Sequence, residues 1–281
     1  MAPARSPSTE VVPGATPIGW PLRFWFVVEL FFALSATMSI AVHPAETATR
    51  FAWPVQPAVM AALIGSFYAA LAPVVVLALL GRRWESVRVF VLPGAVFTFA
   101  QLVVTFLHWD RFRHGTFPFQ VWLASYLLPP PVFLACYIWQ QRRSGPFVFR
   151  SPLPRRQRSL LVLLGSVFTL LALVGLFRPG ALSSSAPWKI TPLNARALGG
   201  YLLLVGTMLL SMARENDRDR VGILTPFLIL LLPVAFFQVS RFRDQVDWHN
   251  PRLAVFALLL AMAACLGIGL LPTSWRRAFG R

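Results

Sequence analysis

Charge is the scarcest property of this chain. Asp, Glu, Lys and Arg make up 13% of its 281 residues, against about a quarter in soluble domains. Only 10 residues are acidic, and lysine occurs once, at Lys189. A soluble fold of this size needs polar cover over much of its surface, so the scarcity excludes an ordinary soluble enzyme. Cys136 and Cys265 are the two cysteines, both inside apolar runs and outside any CxxC pair. That excludes a disulfide scaffold and reads as two buried thiols acting as small hydrophobes. A P-loop, a dinucleotide fingerprint, GxSxG and HExxH are also missing. No polar segment is long enough to house a soluble catalytic domain.

What is present is apolar. Hydrophobic residues make up 57% of the chain, and mean hydropathy is +0.64. Crossing a bilayer core takes about 20 apolar residues in a helix, and eight stretches qualify: 24–42, 58–80, 89–107, 119–139, 159–177, 195–213, 221–239 and 253–271. Helices are required because lipid offers no hydrogen-bond partner to a backbone. The stretches also lack the period-two alternation of a membrane barrel. The predicted fold is therefore all-α, an integral membrane bundle of about eight transmembrane helices. The first stretch is long, contains Glu29 and follows a tail that carries an acidic residue. It reads as a retained anchor and not a cleaved signal peptide.

The 26 basic residues against 10 acidic ones give a net charge of +16. No basic domain stands apart from the spans, so topology explains the excess better than nucleic acid does, and no nucleic-acid partner is expected. Arginines collect in the tails and in alternate links. The link 140–158 holds six: Arg142, Arg143, Arg150, Arg155, Arg156 and Arg158. The positive-inside bias predicts a plasma-membrane protein with both termini cytoplasmic. The six link arginines are candidate contacts for anionic lipid headgroups, each worth about 1 kcal/mol near a charged surface. Trp20, Trp53, Trp84, Trp139, Trp188, Trp248 and Trp275 fall near span ends, where an aromatic belt is expected.

The chain repeats itself at an offset of 135. Pro44, Trp53, Pro57 and Gly65 match Pro179, Trp188, Pro192 and Gly200, and Ala62-Leu63 matches Ala197-Leu198. An even number of spans per unit predicts two parallel four-helix halves. The resulting division is an N-terminal tail 1–23, a first half 24–139, a basic linker 140–158, a second half 159–272 and a basic C-terminal tail 273–281.

Few residues have chemistry to offer. Glu29 is the only charge well inside a span, and a mid-membrane charge costs about 3 kcal/mol on insertion scales, so such residues mark function by default. The structural alternative is a neutral, hydrogen-bonded Glu29, or one paired with Arg23 or another arginine of the same side. Pro129, Pro130 and Pro131 remove three successive N–H donors in the fourth span. An interrupted helix there frees carbonyls able to line a cavity, with Ser125 and Tyr126 as possible partners for them. Gln101 and Gln238 are in-span amides suited to interhelical hydrogen bonds. Glu29, Gln101, Tyr126, Pro129, Pro130, Pro131 and Gln238 are the candidate ligand-binding residues. On the side opposite the arginine-rich links, His108, Asp110, His114, Asp247 and His249 form a possible polar cluster, with His and carboxylate chemistry suited to acid–base work. Their spacing matches no metal-ligand pattern, so neither metal nor cofactor is assigned.

The segment His108-Trp109-Asp110-Arg111-Phe112, with Trp122, Tyr126 and Pro129-Pro130, resembles a pattern in bacterial multi-pass membrane proteins with two tandem four-helix repeats. The run from Trp53 through Pro57 to Gly65, repeated near Trp188, resembles the same group. The resemblance implies an architecture and no chemistry. The eight-span haem-synthesis oxidases are set aside, because their in-helix histidine pairs are missing here. Three function classes remain. One is a transporter-like or small-molecule- or lipid-binding protein with a site between the halves. The others are a structural subunit of a membrane complex and a membrane-embedded enzyme using the His/Asp cluster.

Overall fold

The computed structural model describes residues 16–145, 151–184 and 186–272. The described chain is helical and contains no strand. Eight segments are long and apolar enough to cross a membrane: span 1 Trp20–Val42, span 2 Ala58–Leu80, span 3 Trp84–Leu107, span 4 Phe117–Arg143, span 5 Arg155–Phe177, span 6 Pro192–Glu215, span 7 Arg218–Ser240 and span 8 Pro251–Gly269. The protein is a multi-pass helical membrane bundle.

Each apolar run found in the sequence lies within or across one of these spans, and most helices run a few residues beyond the run. The extra residues are polar starts. Span 5 takes in Arg155, Arg156 and Arg158, and span 3 begins at Trp84. Proline occupies the first turn of spans 1, 4, 6 and 8, where its missing N–H costs nothing. Thr116, Thr191 and Asn250 cap three of the starts by accepting from Phe119, Asn194 and Arg252 N–H.

Three spans depart from regularity, span 7 at a 3-10 turn, Gly222–Leu224, between Arg218–Val221 and Thr225–Ser240. Span 1 ends in a π-helical stretch, Thr37–Val42. Span 4 is broken at Leu128 into Phe117–Leu127 and Pro129–Arg143. The break is the expected consequence of three prolines. Their absent N–H groups leave the carbonyls of Ser125, Tyr126 and Leu127 without helical donors. The hydroxyls of Ser125 and Tyr126 do not compensate, since Ser125 donates to Trp122 O and Tyr126 bonds to Tyr68.

Packing follows a paired scheme. Span 1 lies on span 2, and span 5 on span 6; span 3 lies on the second segment of span 4, and span 7 on span 8. The inner helices then cross over, span 2 packing on span 7 and span 3 on span 6. The first four spans thus interlock with the last four. Spans 5 and 6 approach closely because glycines face each other: a Cβ at Gly199 would lie 2.9 Å from Leu176 N.

The apolar exterior carries Phe24, Phe31, Phe99, Leu170, Phe236 and Leu258, all exposed, as a lipid-facing surface requires. Three sequence expectations are corrected. Trp53 and Trp84 are buried at 2% and 0% exposure, so they are core residues and not belt residues. Trp53 donates to the buried Asn194 Oδ1 at 3.0 Å, and Trp84 to Gln141 Oε1 at 3.3 Å; a ring at a span end turns inward when an amide on a neighbouring segment accepts its N–H. Cys265 is exposed, whereas Cys136 is buried, because Cys265 lies on the outward face of the peripheral span 8. Trp275 and Arg150 lie outside the described residues.

Candidate functional site

A cavity of about 140 Å³ lies among spans 1, 2, 3 and 4. Its wall includes Glu29, Ser35 and Ser39 from span 1, Tyr68 from span 2, Thr98 from span 3, and Trp122, Ser125 and Tyr126 from the first segment of span 4. Only Leu204 comes from the second half of the chain. The cavity is therefore built almost wholly within the first four spans, whereas the sequence reading expects a site between the halves. Arg50 lies at the end that carries the histidines, and it is ion-paired with Glu46. That pairing holds the Glu46 carboxyl below the usual carboxylate range.

Glu29 sits 9 residues along the 23-residue span 1, near the middle of the apolar thickness. Its Oε1 is buried and has no hydrogen-bond partner among the described residues. Trp25, one turn earlier on the same helix face, brings its indole N–H beside the carboxyl but outside hydrogen-bond geometry. The expected Arg23 pair does not form. Arg23 donates to Leu79 O at 3.0 Å and Gly81 O at 2.9 Å, because its side chain reaches toward the polar end of span 2. The carboxyl is left facing a wall rich in aromatic side chains, in which Phe90, Phe97 and Phe133 join the residues already named.

Two of the chain's four tyrosines, Tyr68 and Tyr126, line the cavity, and a third, Tyr201, meets them from behind the wall. Tyr201 of span 6 donates to Tyr68 Oη at 2.6 Å, and Tyr68 bonds to Tyr126. All three are buried. Three hydroxyls carry three protons and make two bonds among themselves, so one O–H remains to donate. Composition could have flagged this cluster, since only four tyrosines occur. Tyr68 and Tyr201, however, read as core aromatics when seen one at a time.

The other candidates lie elsewhere. Gln101 donates to Ala197 O at 3.1 Å and Gln238 to Ala41 O at 3.0 Å, joining span 3 to span 6 and span 7 to span 1. Neither lines the cavity. Arg241 donates to the same Ala41 carbonyl at 2.7 Å, and Arg196 donates to Leu176 O at 3.1 Å. Ala41 and Leu176 stand 135 residues apart, each near the end of its helix, and each carbonyl accepts from an arginine. Pro129, Pro130 and Pro131 shape the break in span 4 without lining the cavity themselves.

The polar cluster at the histidine-bearing end is dispersed. His108 accepts from Arg196 Nη1 at 2.8 Å. Burial, and then the Arg196 charge, push its imidazole below the usual histidine range. Asp110 pairs with Arg111 at 3.1 Å, both exposed. His114 Nε2 meets Trp109 O at 2.8 Å, and Asp247 Oδ1 accepts from His249 N at 3.1 Å. Among the described residues no three His, Cys, Asp or Glu side chains gather as a metal-holding group.

At the arginine-rich end, an ion pair that the sequence does not announce joins the halves. Arg88 of span 3 donates to Glu215 of span 6 through Nε at 2.7 Å and Nη2 at 2.8 Å. Both residues are buried, at 9% and 8% exposure, and Arg220 lies 3.8 Å from the same carboxylate. Comparison with protein-family models, curated proteins and solved structures finds no match to the chain.

Proposed function

We propose that this chain is a transporter-like, small-molecule-binding membrane protein whose site is the Glu29 cavity. The observation that carries the reading is the unpartnered Oε1 of Glu29 inside a cavity rich in aromatic side chains. A buried polar atom without a partner costs about 1–3 kcal/mol, a cost that a bound ligand would relieve. The complementary ligand has an apolar body and one cationic or hydrogen-bond-donating group. The carboxylate would take that group, and aromatic faces attract cations. The break in span 4 supports the same reading, since interrupted helices form the sites of many transporters.

The charge bias supports a plasma-membrane topology with the arginine-rich end and both termini cytoplasmic. The paired packing and the two arginine-bonded carbonyls support a duplicated four-span unit. Anionic lipid remains the proposed contact of Arg142, Arg143, Arg155, Arg156 and Arg158. The enzyme reading has little support, because the His and Asp groups it needs are each engaged separately.

The test uses a pair of isosteric probes, benzyltrimethylammonium and the uncharged neopentylbenzene, titrated into the purified protein in micelles. The cation is expected to bind saturably, and Glu29→Gln to weaken it about tenfold. Identical cation uptake by wild type and Glu29→Gln, or no uptake by either, overturns the reading.

A further inference from the structure

Trp53 and Trp188 stand at matching places, each four residues before the proline that leads into span 2 or span 6. Their surroundings differ. Trp53 is packed by Phe51, Phe112 and Trp122 at ring separations of 4.8, 5.1 and 4.7 Å, and its N–H reaches Asn194. Around Trp188 there is instead a cavity of about 320 Å³. The Trp188 Nε1 is buried and has no hydrogen-bond partner among the described residues.

The cavity lies between the ends of spans 5 and 6, the short helix Pro179–Ser183 and the start of span 8. Leu171, Leu182, Leu202 and Phe256 are typical of its lining. Only two lining side chains bear polar atoms, Trp188 and Arg252. Arg252 is exposed at the first turn of span 8. The neighbouring Val174 and Val255 are exposed at 41% and 56%, so the site borders the lipid-facing surface.

We propose that this cavity holds one acyl chain of an anionic phospholipid, with the phosphate on Arg252 and an ester oxygen accepting from the Trp188 N–H. An apolar slot takes a chain, a lone buried donor takes a carbonyl, and a cation at the mouth takes the phosphate. The three groups follow the order of a phospholipid from tail to head. Such a lipid fills the space that aromatic side chains fill around Trp53. The site is separate from the Glu29 cavity and does not depend on what binds there.

The test is native mass spectrometry of the full chain after exchange into phosphatidylglycerol or phosphatidylcholine. Wild type is expected to keep one phosphatidylglycerol under collisional activation that strips other lipid. Arg252→Gln should lower that retention about tenfold and make the two lipids equivalent. Trp188→Phe, which keeps an aromatic side chain and removes the donor, should lower retention several-fold for both. Ala186→Phe should fill the cavity and abolish it. Circular dichroism separates loss of lipid from loss of fold, and Trp188→Phe carries the test alone if Ala186→Phe does not fold. Wild-type retention by Trp188→Phe together with Arg252→Gln overturns the proposal. So does a lipid-free dimer that Ala186→Phe disrupts.

Discussion

Arg196 can only donate, so its 2.8 Å contact requires His108 Nε2 to be the unprotonated nitrogen. Burial and the guanidinium charge both disfavour imidazolium in the folded state. The folded protein therefore binds fewer protons at His108 than the unfolded chain does. Stability from this site is present above the ordinary histidine range and falls as pH drops through it. Thermal unfolding in micelles from pH 7.5 to 5 should show a loss that His108→Gln reduces. An unchanged pH dependence in that variant would remove His108 from the account. Glu29 presents the opposite situation, a buried carboxyl oxygen with no hydrogen-bond partner among the described residues. Groups left unsatisfied in a native structure need a reason, and the proposed ligand would supply one.

At the scale of the element, the break in span 4 follows directly from its three prolines. Replacing Pro129, Pro130 and Pro131 together by alanine restores three N–H donors and should fuse Phe117–Leu127 with Pro129–Arg143 into one helix. Straightening the helix moves Trp122, Ser125 and Tyr126 relative to Glu29. Probe affinity is expected to fall at least tenfold, with helix content by circular dichroism equal to wild type or higher. Unchanged affinity would show that the break does not shape the cavity. The spans were legible because each is a long apolar run, and lipid permits such a run only one regular structure. Glu29 and the prolines were legible because a charge and three imino acids stand out among Leu, Val and Phe. Tyr68 and Tyr201 were not, because a single aromatic in an apolar run looks like packing. Their chemistry arises only when three helices bring hydroxyls together. Arg88 and Glu215 were hidden for another reason. They are 127 residues apart, and a charge at a span end reads as topology. Trp53 and Trp84 misled the belt reading because their amide partners, Asn194 and Gln141, are remote in sequence.

For the whole molecule, spans 3 and 6 are tied at both ends, by Arg88–Glu215 at one and His108–Arg196 at the other. This pair joins the two halves and is expected to act as a fixed frame, with movement confined to the more peripheral spans 1 and 4. Breaking a buried ion pair from one side costs about 3–5 kcal/mol, whereas replacing both partners by apolar residues is often neutral. Glu215→Ala should therefore lower the unfolding midpoint strongly in a micelle melt. The double variant Arg88→Met with Glu215→Leu should recover most of the loss. If the double variant melts no higher than the single one, the pair is not what joins these helices.

The Glu29 cavity is proposed as a ligand site. Native mass spectrometry of the protein, released gently from its own membrane as wild type and as Glu29→Gln, tests it most directly. Wild type should carry a small-molecule mass beyond chain and lipid, and Glu29→Gln should carry about tenfold less of it, a difference of about 1.4 kcal/mol. Equal occupancy in the two forms, or a bare chain in both, would contradict the claim.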